Sequence, residues 1–432
     1  MKPSTKRILF YIVITVLLFA PVVAMIYHWV PRDPIVNVSV LLGFLGLSLA
    51  GIQLVPIGKM RWVADSLNMD KVYGDHHNYS LLAIGLVLSH PLILLITDKV
   101  YRTNWVLWAG WIGLAALVFI GFTSALRKQL KIDYVHWLGL HNLLTLAILV
   151  FGMWHMYSVN YYMRFPLIRW VWIVEIAVWV ILTIYIRFLN PLRISKSPYK
   201  VESVTAQPNS VYTLTLVPDG HEGVPFKAGQ IAWISTSNSS FSISRNPFSY
   251  SGSEQAEDGR LRFSIKEVGD FTFSVKDLRV GDRVFVDGPY GAFDLDNPET
   301  QRGLVMIAGG IGIAPILSLL KTLGDSNDDR PLYLFYGDQT EETKLYQEEL
   351  NEAIHRTNMQ KLVIVLERPI SEDYPYQGYI SEKTMRPNLP EDYKSLYYFV
   401  CGPPGLVAAM DRNFKALDVP SHRIHVENYE MA

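Results

Sequence analysis

Between residues 8 and 190 the chain is almost entirely apolar runs. Six stretches, about 8–30, 35–57, 77–97, 104–126, 136–158 and 168–190, are each long enough to cross a hydrocarbon layer about 30 Å thick. That fixes the fold class of the first half as a membrane α-helical bundle of six spans. The first run follows Lys2, Lys6 and Arg7 and is too long for a signal-peptide core, so it reads as a retained helix. Residues 197–432 read as ordinary globular sequence, with room for two domains.

The basic residues alternate by loop. Lys2, Lys6 and Arg7 precede span one, and Lys59, Arg61 and Lys71 lie between spans two and three. Arg127, Lys128 and Lys131 lie between four and five, and Arg187, Arg193, Lys196 and Lys200 end or follow span six. The other loops hold only Arg32, Lys99, Arg102, Arg164 and Arg169. The positive-inside bias makes this a multi-pass protein of the cell membrane with both termini cytoplasmic. Trp29, Trp105, Trp170 and Trp172 stand near span ends, as an aromatic belt would.

Four histidines subdivide the spans. His76 and His90 are fourteen residues apart, and so are His141 and His155. Fourteen residues of α-helix turn about 1400°, roughly 40° short of four turns, and rise about 21 Å. Each helix therefore presents both imidazoles on one face at two depths. Spans three and five both run outward, so His76 and His141 share the inner level and His90 and His155 the outer one. One membrane histidine commonly just hydrogen-bonds a neighbouring helix. Two matched pairs at membrane depth, where ionisable groups are costly, point instead to two b-type haems. His77 and His136 fall about 140° off these faces and, with His28, read as interface residues. Arg61, Lys71, Arg127 and Lys131 are placed to meet inner haem propionates or simply to set topology.

Composition narrows the rest. Net charge is −1, which gives no basic field for nucleic acid. The single cysteine, Cys401, excludes an intrachain disulfide and a protein-ligated iron–sulfur cluster, which takes about four ligands. The acidic run Asp325 to Asp329 lacks the EF-hand glycine, since Arg330 stands at position six, and reads as a solvated turn.

After Asn190-Pro191, which should end the last span, come short strands: Tyr199 to Val204, Val211 to Val217, Ile231 to Thr236 and Leu261 to Lys266. Turn residues separate them, and the pattern predicts a small antiparallel β-barrel. From about residue 300, apolar runs at Leu304 to Ala308, Leu332 to Tyr336, Leu362 to Leu366 and Leu396 to Cys401 alternate with helical stretches, as in a doubly wound parallel sheet.

Three motifs in this half carry chemistry. Arg245-Asn246-Pro247-Phe248-Ser249-Tyr250-Ser251 leaves a strand and can offer hydroxyls and amides to a flavin's ribityl and phosphate groups. Lys266, Gly269-Asp270-Phe271-Thr272 and Gly288-Pro289-Tyr290-Gly291 follow it. Ile307-Ala308-Gly309-Gly310-Ile311-Gly312-Ile313-Ala314-Pro315 joins a strand to a helix, where backbone amides and the helix N-terminus can meet a pyrophosphate. Its spacing is not GxGxxG. Cys401-Gly402-Pro403-Pro404 ends another strand and can wall a nicotinamide pocket; Cys401 is equally at home as a buried small hydrophobe. Near the C-terminus, Tyr429 could stack on the isoalloxazine or lie in a frayed tail.

Taken together and in order, these motifs resemble the ferric reductase/NADPH oxidase family, over essentially the whole chain, and especially its compact prokaryotic NADPH oxidase-like members. The resemblance implies a six-helix di-haem domain (1–195), an FAD-binding β-barrel domain (196–298) and a Rossmann-like NAD(P)H-binding α/β domain (299–432), the last two forming a ferredoxin reductase-like module. It implies haem ligation by His76, His90, His141 and His155, and FAD contacts from Asn246, Pro247, Phe248, Ser249, Ser251, Lys266 and Thr272. Gly309, Gly310, Ile311, Gly312 and Pro315 would hold the pyrophosphate, Cys401, Gly402 and Pro403 would sit at the nicotinamide, and Tyr429 would shield the flavin. The chain departs from the family in having Asn246 where histidine is frequent, Tyr429 where phenylalanine is common, and fourteen rather than thirteen residues between the fifth-span histidines.

The expected activity is transfer of electrons from cytoplasmic NADH or NADPH through FAD and two b-type haems to dioxygen outside, giving superoxide. Ferric-chelate reduction by the same path is the alternative. Acidic residues in Gly337-Asp338-Gln339-Thr340-Glu341-Glu342 favour a free ribose and hence NADH. Membrane lipid, coenzyme and acceptor are the expected partners, with no nucleic acid and no obligatory activator protein. A membrane-anchored flavin reductase would lack haem, and a transporter with a fused nucleotide-binding domain would carry more charged or helix-breaking residues in its spans.

Overall fold

A computed structural model describes residues 3–28, 30–59, 69–99, 105–237, 239–256, 258–291, 293 and 295–428. The chain divides into two compact units, Met1–Pro191 and Leu192–Ala432.

The first unit is helical. Its main helices are α1 (Pro3–Tyr27), α2 (Pro34–Ile52), α3 (Met69–Ile96), α4 (Trp108–Leu126), α5 (Tyr134–Val159) and α6 (Pro166–Ile184). Six helical segments, Ile8–Tyr27, Pro34–Ile57, Val72–Ile96, Trp108–Leu126, Tyr134–Val159 and Pro166–Ser195, are long and apolar enough to cross a membrane. Starts are set by local chemistry. Asp33 accepts from the amides of Ile35 and Val36 with Pro34 at the first helical position, and Asp133 caps α5 through the amide of His136. α2 packs along α3 and α4 along α5. Gly51 allows Trp179 of α6 to press against α2, for a Cβ there would lie 2.0 Å from the indole.

Two expectations fail here. Asn190-Pro191 does not end the last helix, which runs through a π-helical turn at Tyr185–Leu189 into a further helical segment, Asn190–Ser195. A wider turn absorbs the amide that proline lacks. Trp172 is not a belt residue. It is fully buried, whereas Trp170 is 60% exposed, because residues two apart on a helix point to opposite sides. Trp29, Arg61 and the side chains of Lys71 and Trp105 lie outside the described residues.

The second unit holds two six-stranded sheets. The first has the order β4-β3-β6-β1-β2-β5, with β1 Tyr199–Gln207, β2 Val211–Pro218, β3 Ile231–Ser235, β4 Asn246–Ser249, β5 Leu261–Lys266 and β6 Arg283–Tyr290. All pairings are antiparallel. The expected barrel does not close: among the described residues only an isolated bridge between Tyr250 and Phe263 links its two edges. β4 is four residues long and contains Pro247, which donates no amide, so it cannot build a full ladder with β5. Tyr199, Leu214, Leu216, Tyr250 and Phe263 fill the concave side.

The second sheet is wholly parallel, in the order β10-β9-β8-β7-β11-β12. Its strands are β7 Leu304–Gly309, β8 Leu332–Asp338, β9 Met359–Leu366, β10 Tyr376–Gln377, β11 Tyr397–Gly402 and β12 Ile424–Asn428. Helices α7 (Ile313–Asp325), α8 (Gln347–His355) and α9 (Pro404–Ala416) make crossovers. Leu304 to Ala308 are completely buried between the clusters on the two faces, as a central parallel strand requires. Burying each of the larger side chains is worth about 1.5–3 kcal/mol. Strand order reverses between β7 and β11, so the crevice beyond their C-terminal ends is the natural ligand position.

The acidic turn after α7 is more than solvated surface. Asp328 pairs with the buried Arg330 at 2.7 Å, and Asp325 pairs with Arg356 at 2.6 Å. Arg330 also donates to the Leu295 carbonyl and to Thr300 Oγ1, so the turn needs an anion to compensate a buried guanidinium.

Candidate electron-transfer site

α3 and α5 bring their histidines together at two levels. The rings of His76 and His141 are 6.3 Å apart, and so are those of His90 and His155. A metal–imidazole bond of about 2 Å puts each ring centre roughly 3 Å from a shared metal, so two opposed ligands stand about 6 Å apart. Both pairs meet that distance. Among the described residues no group of three or more His, Cys, Asp or Glu could hold a metal ion. Two opposed imidazoles are what a porphyrin iron needs, since the macrocycle supplies its other four nitrogens.

Neighbouring groups orient the ligands. His76 Nδ1 lies 3.1 Å from Gln53 Oε1, and His90 Nδ1 lies 2.9 Å from Ser39 Oγ and 3.1 Å from the Ser39 carbonyl. With Nδ1 engaged, Nε2 is the nitrogen left for a metal. A cavity of about 410 Å³ surrounds His90 and His155. Glycines keep it open: a Cβ on Gly43 would lie 3.2 Å from the ring of His90, and one on Gly110 would lie 2.9 Å from that of His155. Arg32, Lys99 and Tyr161 line the same cavity. Arg32 lies 4.4 Å from the Tyr161 ring centre, and Arg164 lies 4.1 Å from it. At the other level Arg127 stands over Trp137, whose ring is 4.9 Å from that of His141. His136 is exposed and tied to Asp133, His77 is exposed, and His28 packs against Phe165. Glu175 is buried and does not line the cavity.

In the antiparallel sheet, Asn246, Pro247, Phe248 and Ser249 form β4 itself, and Phe248 stacks on Phe271 at 5.8 Å. Thr272 is committed locally. Its Oγ1 accepts from the amides of Val268 and Gly269 and donates to the Gly269 carbonyl, which leaves backbone rather than hydroxyl to face a ligand. Ser251 is buried, its amide bonded to the Arg262 carbonyl. Lys266 ends β5 opposite Val211. Sequence reasoning missed Asp287, a buried carboxylate on β6 that binds Tyr290, Arg245 and Arg193. Its only sequence signal is an acid inside an otherwise apolar strand.

In the parallel sheet the glycines divide their work. Gly310 has φ +53° and open space where a Cβ would point, so its backbone can approach a ligand. At Gly312 a Cβ would lie 2.1 Å from the Cys401 carbonyl oxygen, and at Gly309 one would lie 2.9 Å from Leu406. These two serve packing. Ile311 is partly buried, and Pro315 is buried inside α7. Cys401 is fully buried, Gly402 is buried, and Pro403 is exposed at the crevice. β12 runs beside β11 with Asn428 level with Gly402; Tyr429 lies outside the described residues.

Two of the acids expected to meet a ribose are already engaged, while Glu342 is exposed. Asp338 accepts from Tyr336 OH, the Gln339 amide and Thr343 Oγ1 at 2.7–2.8 Å, and Glu341 accepts from the amides of Ile370 and Ser371. Glu367 follows β9 at the same edge, its amide bonded to the Asp338 carbonyl.

Residues 306–412 match the family model of the oxidoreductase NAD-binding domain. The chain is 30% identical to an NADH-cytochrome b5 reductase 1 from Candida glabrata over 155 residues, 35% of this chain and 54% of that protein. It is 26% identical to a flavohemoprotein from Bacillus subtilis over 239 residues, 53% of this chain and 58% of the relative. The chain thus spans about half the length of these curated relatives. A flavohemoglobin from Malassezia yamatoensis, solved with bound FAD and heme, shares the fold with a TM-score of 0.51 at 16% identity, covering 91% of this chain and 96% of that one. The parallel-sheet part of the second unit therefore matches an oxidoreductase NAD-binding domain. The sequence match thus falls in the second unit, while the first carries the six helical segments apolar enough to cross a membrane.

Proposed function

We propose that the chain moves electrons from cytoplasmic NADH across a cell membrane to dioxygen, giving superoxide. The supporting observation is the pair of 6.3 Å imidazole facings on two helices of membrane length, in one chain with a reductase module. FAD, when bound, converts a two-electron hydride donor into single electrons, and bis-imidazole haem carries one electron with no open coordination site. His76 with His141 and His90 with His155 would hold two such haems. The Gly310 backbone and the start of α7 would hold the coenzyme's pyrophosphate, with Pro403 and the Cys401-Gly402 backbone beside the nicotinamide. β4 would carry the flavin against Phe248, and Tyr429 would cover the ring until coenzyme displaces it. One NADH then yields NAD⁺, one proton and two superoxide anions, which balances its two electrons.

NADH is favoured over NADPH because several of the matched relatives are NADH-cytochrome b5 reductases and because Glu367 stands at the ribose edge, where a 2′-phosphate would meet repulsion. This is the combination found in the ferric reductase/NADPH oxidase family; in this chain both termini would be cytoplasmic, and turnover would need no activator protein. Ferric-chelate reduction is the second reading: Arg32 lines the cavity beside His90 and His155 and offers a cation to an anionic chelator. A superoxide-dismutase-sensitive assay, run with and without ferric chelate, tests both. Superoxide formed at full rate without iron supports the oxidase. Turnover that starts only with ferric chelate reverses the order.

A further inference from the structure

Asp287 is a carboxylate inside a β-strand, 2% exposed, and a buried charge persists only when it is paired. Tyr290 OH donates to its Oδ1 at 2.6 Å. Arg245 donates to Oδ2 at 3.2 Å, and the Arg193 guanidinium lies 3.5 Å from Oδ1. The two arginines differ in place and purpose. Arg245 is nearly buried and is also spent on the carbonyls of Ser240 and Ser242, so it knots the loop before β4 and immediately precedes Asn246. Arg193 has 42% of its side chain exposed and stands two residues after Pro191, where the first unit ends.

Strand register brings this cluster to the flavin segment. Pro247 of β4 faces Trp233 of β3, and Trp233 faces Asp287 of β6. The three residues form one row across adjacent strands, with side chains on a common face. Ser249, Ile231 and Tyr290 form the neighbouring row. Asp287 therefore answers on one side to the segment that would hold the flavin and on the other to Arg193, in the final turn of the last membrane-length helical segment, Pro166–Ser195. No step of the proposed reaction uses its charge.

We propose that Asp287 is a positioning residue for electron delivery: by gripping Arg245 and Arg193 together, it fixes the flavin segment to the start of the second unit. This rests on the electron path proposed above. An Arg–carboxylate contact lets one strand residue orient two segments, and small misplacements of reacting groups cost large factors in rate.

The test uses the full chain in detergent or nanodiscs, loaded with FAD and haem. Arg193→Gln removes one grip and leaves the Arg245–Asp287 pair intact; Arg193→Lys restores a cation; Asp287→Asn removes both. Measured are FAD content, NADH-driven reduction of a soluble dye, the rate at which NADH reduces the haem bands, and amide hydrogen exchange across residues 190–197 and 240–249. Arg193→Gln should keep FAD and dye reduction within about twofold of the unmodified chain, slow haem reduction by about tenfold or more, and raise exchange in residues 190–197. Arg193→Lys should recover most of the haem rate, and Asp287→Asn should raise exchange in both segments. Unchanged haem reduction and exchange in Arg193→Gln would overturn the proposal, as would dye and haem rates falling in parallel with loss of FAD. A loaded, unmodified chain whose haem NADH does not reduce would instead overturn the electron path on which it rests.

Discussion

A methyl group on Gly312 would lie 2.1 Å from the carbonyl oxygen of Cys401, whereas one on Gly310 would meet nothing within 4 Å. Gly312→Ala should therefore destabilise the second unit by about 1–3 kcal/mol, the usual cost of overpacking, read as a lower thermal midpoint without coenzyme. Gly310→Ala should cost about 1 kcal/mol for its left-handed backbone and act mainly by raising the KM for NADH. A neighbouring residue sets an acid limit. The Arg330 guanidinium holds the Asp328 carboxyl below the ordinary carboxylate range. A lowered folded-state pKa contributes stability that is complete above the unfolded value, about 4, and is lost as pH falls through the folded value. Asp328→Asn should lower stability at neutral pH and flatten the acid branch of the stability profile. An unchanged neutral stability would contradict that pairing. The acidic run was visible in the sequence, but its buried partner was not, because Arg330 acquires its environment from Leu295 and Thr300 some thirty residues upstream.

At the scale of elements, the fourteen-residue histidine spacing translated directly into paired rings, because helix geometry is set locally and needs no knowledge of neighbours. Elements that depend on partners were less legible. β6 and β12 are not among the strands read from the sequence, since β6 carries Asp287 and Gly288 and β12 carries His425 and Glu427, polar residues tolerated only through their neighbours. The open edge at β4 and the π-turn before Pro191 both follow from a proline's missing amide, yet whether the chain breaks, widens or bridges depends on packing. The helix pairing also gives a sharp test. Gly110 lets α4 approach the His155 ring, so Gly110→Leu should fill the space beside it and lower haem content by up to half, with the helices still formed by circular dichroism. His90→Ala should do the same by removing a ligand while leaving His76 and His141 occupied. Full haem content in both variants would argue against the His90–His155 pair as a binding site.

For the molecule as a whole, composition and motif order were enough to separate an apolar helical half from a half built on two sheets, because hydrophobic run length and strand–helix alternation are properties of long windows. The crevice proposed for the coenzyme lies where the glycine turn at the end of β7 and the Cys-Gly-Pro at the end of β11 close adjacent strands at the reversal of strand order. Coenzyme choice did not follow in the same way. Asp338 and Glu341 looked available in sequence and are consumed, the first by its own turn and the second by the amides of Ile370 and Ser371, which leaves the exposed Glu342 and, on a different strand connection, Glu367 as acids at that edge. NADH should accordingly show a lower KM than NADPH, and Glu367→Gln should narrow the difference; equal values in the unmodified chain would remove this assignment. The central claim is that reducing power entering at the coenzyme crevice reaches metal held between α3 and α5. Its most direct measurement is the anaerobic absorption spectrum of purified full-length protein in lipid, taken before and after adding NADH. The account predicts b-type haem bands at two haems per chain that sharpen to the reduced form on NADH addition and reoxidise when air is admitted. A preparation containing FAD but no such bands, or bands that dithionite reduces and NADH does not, would contradict it.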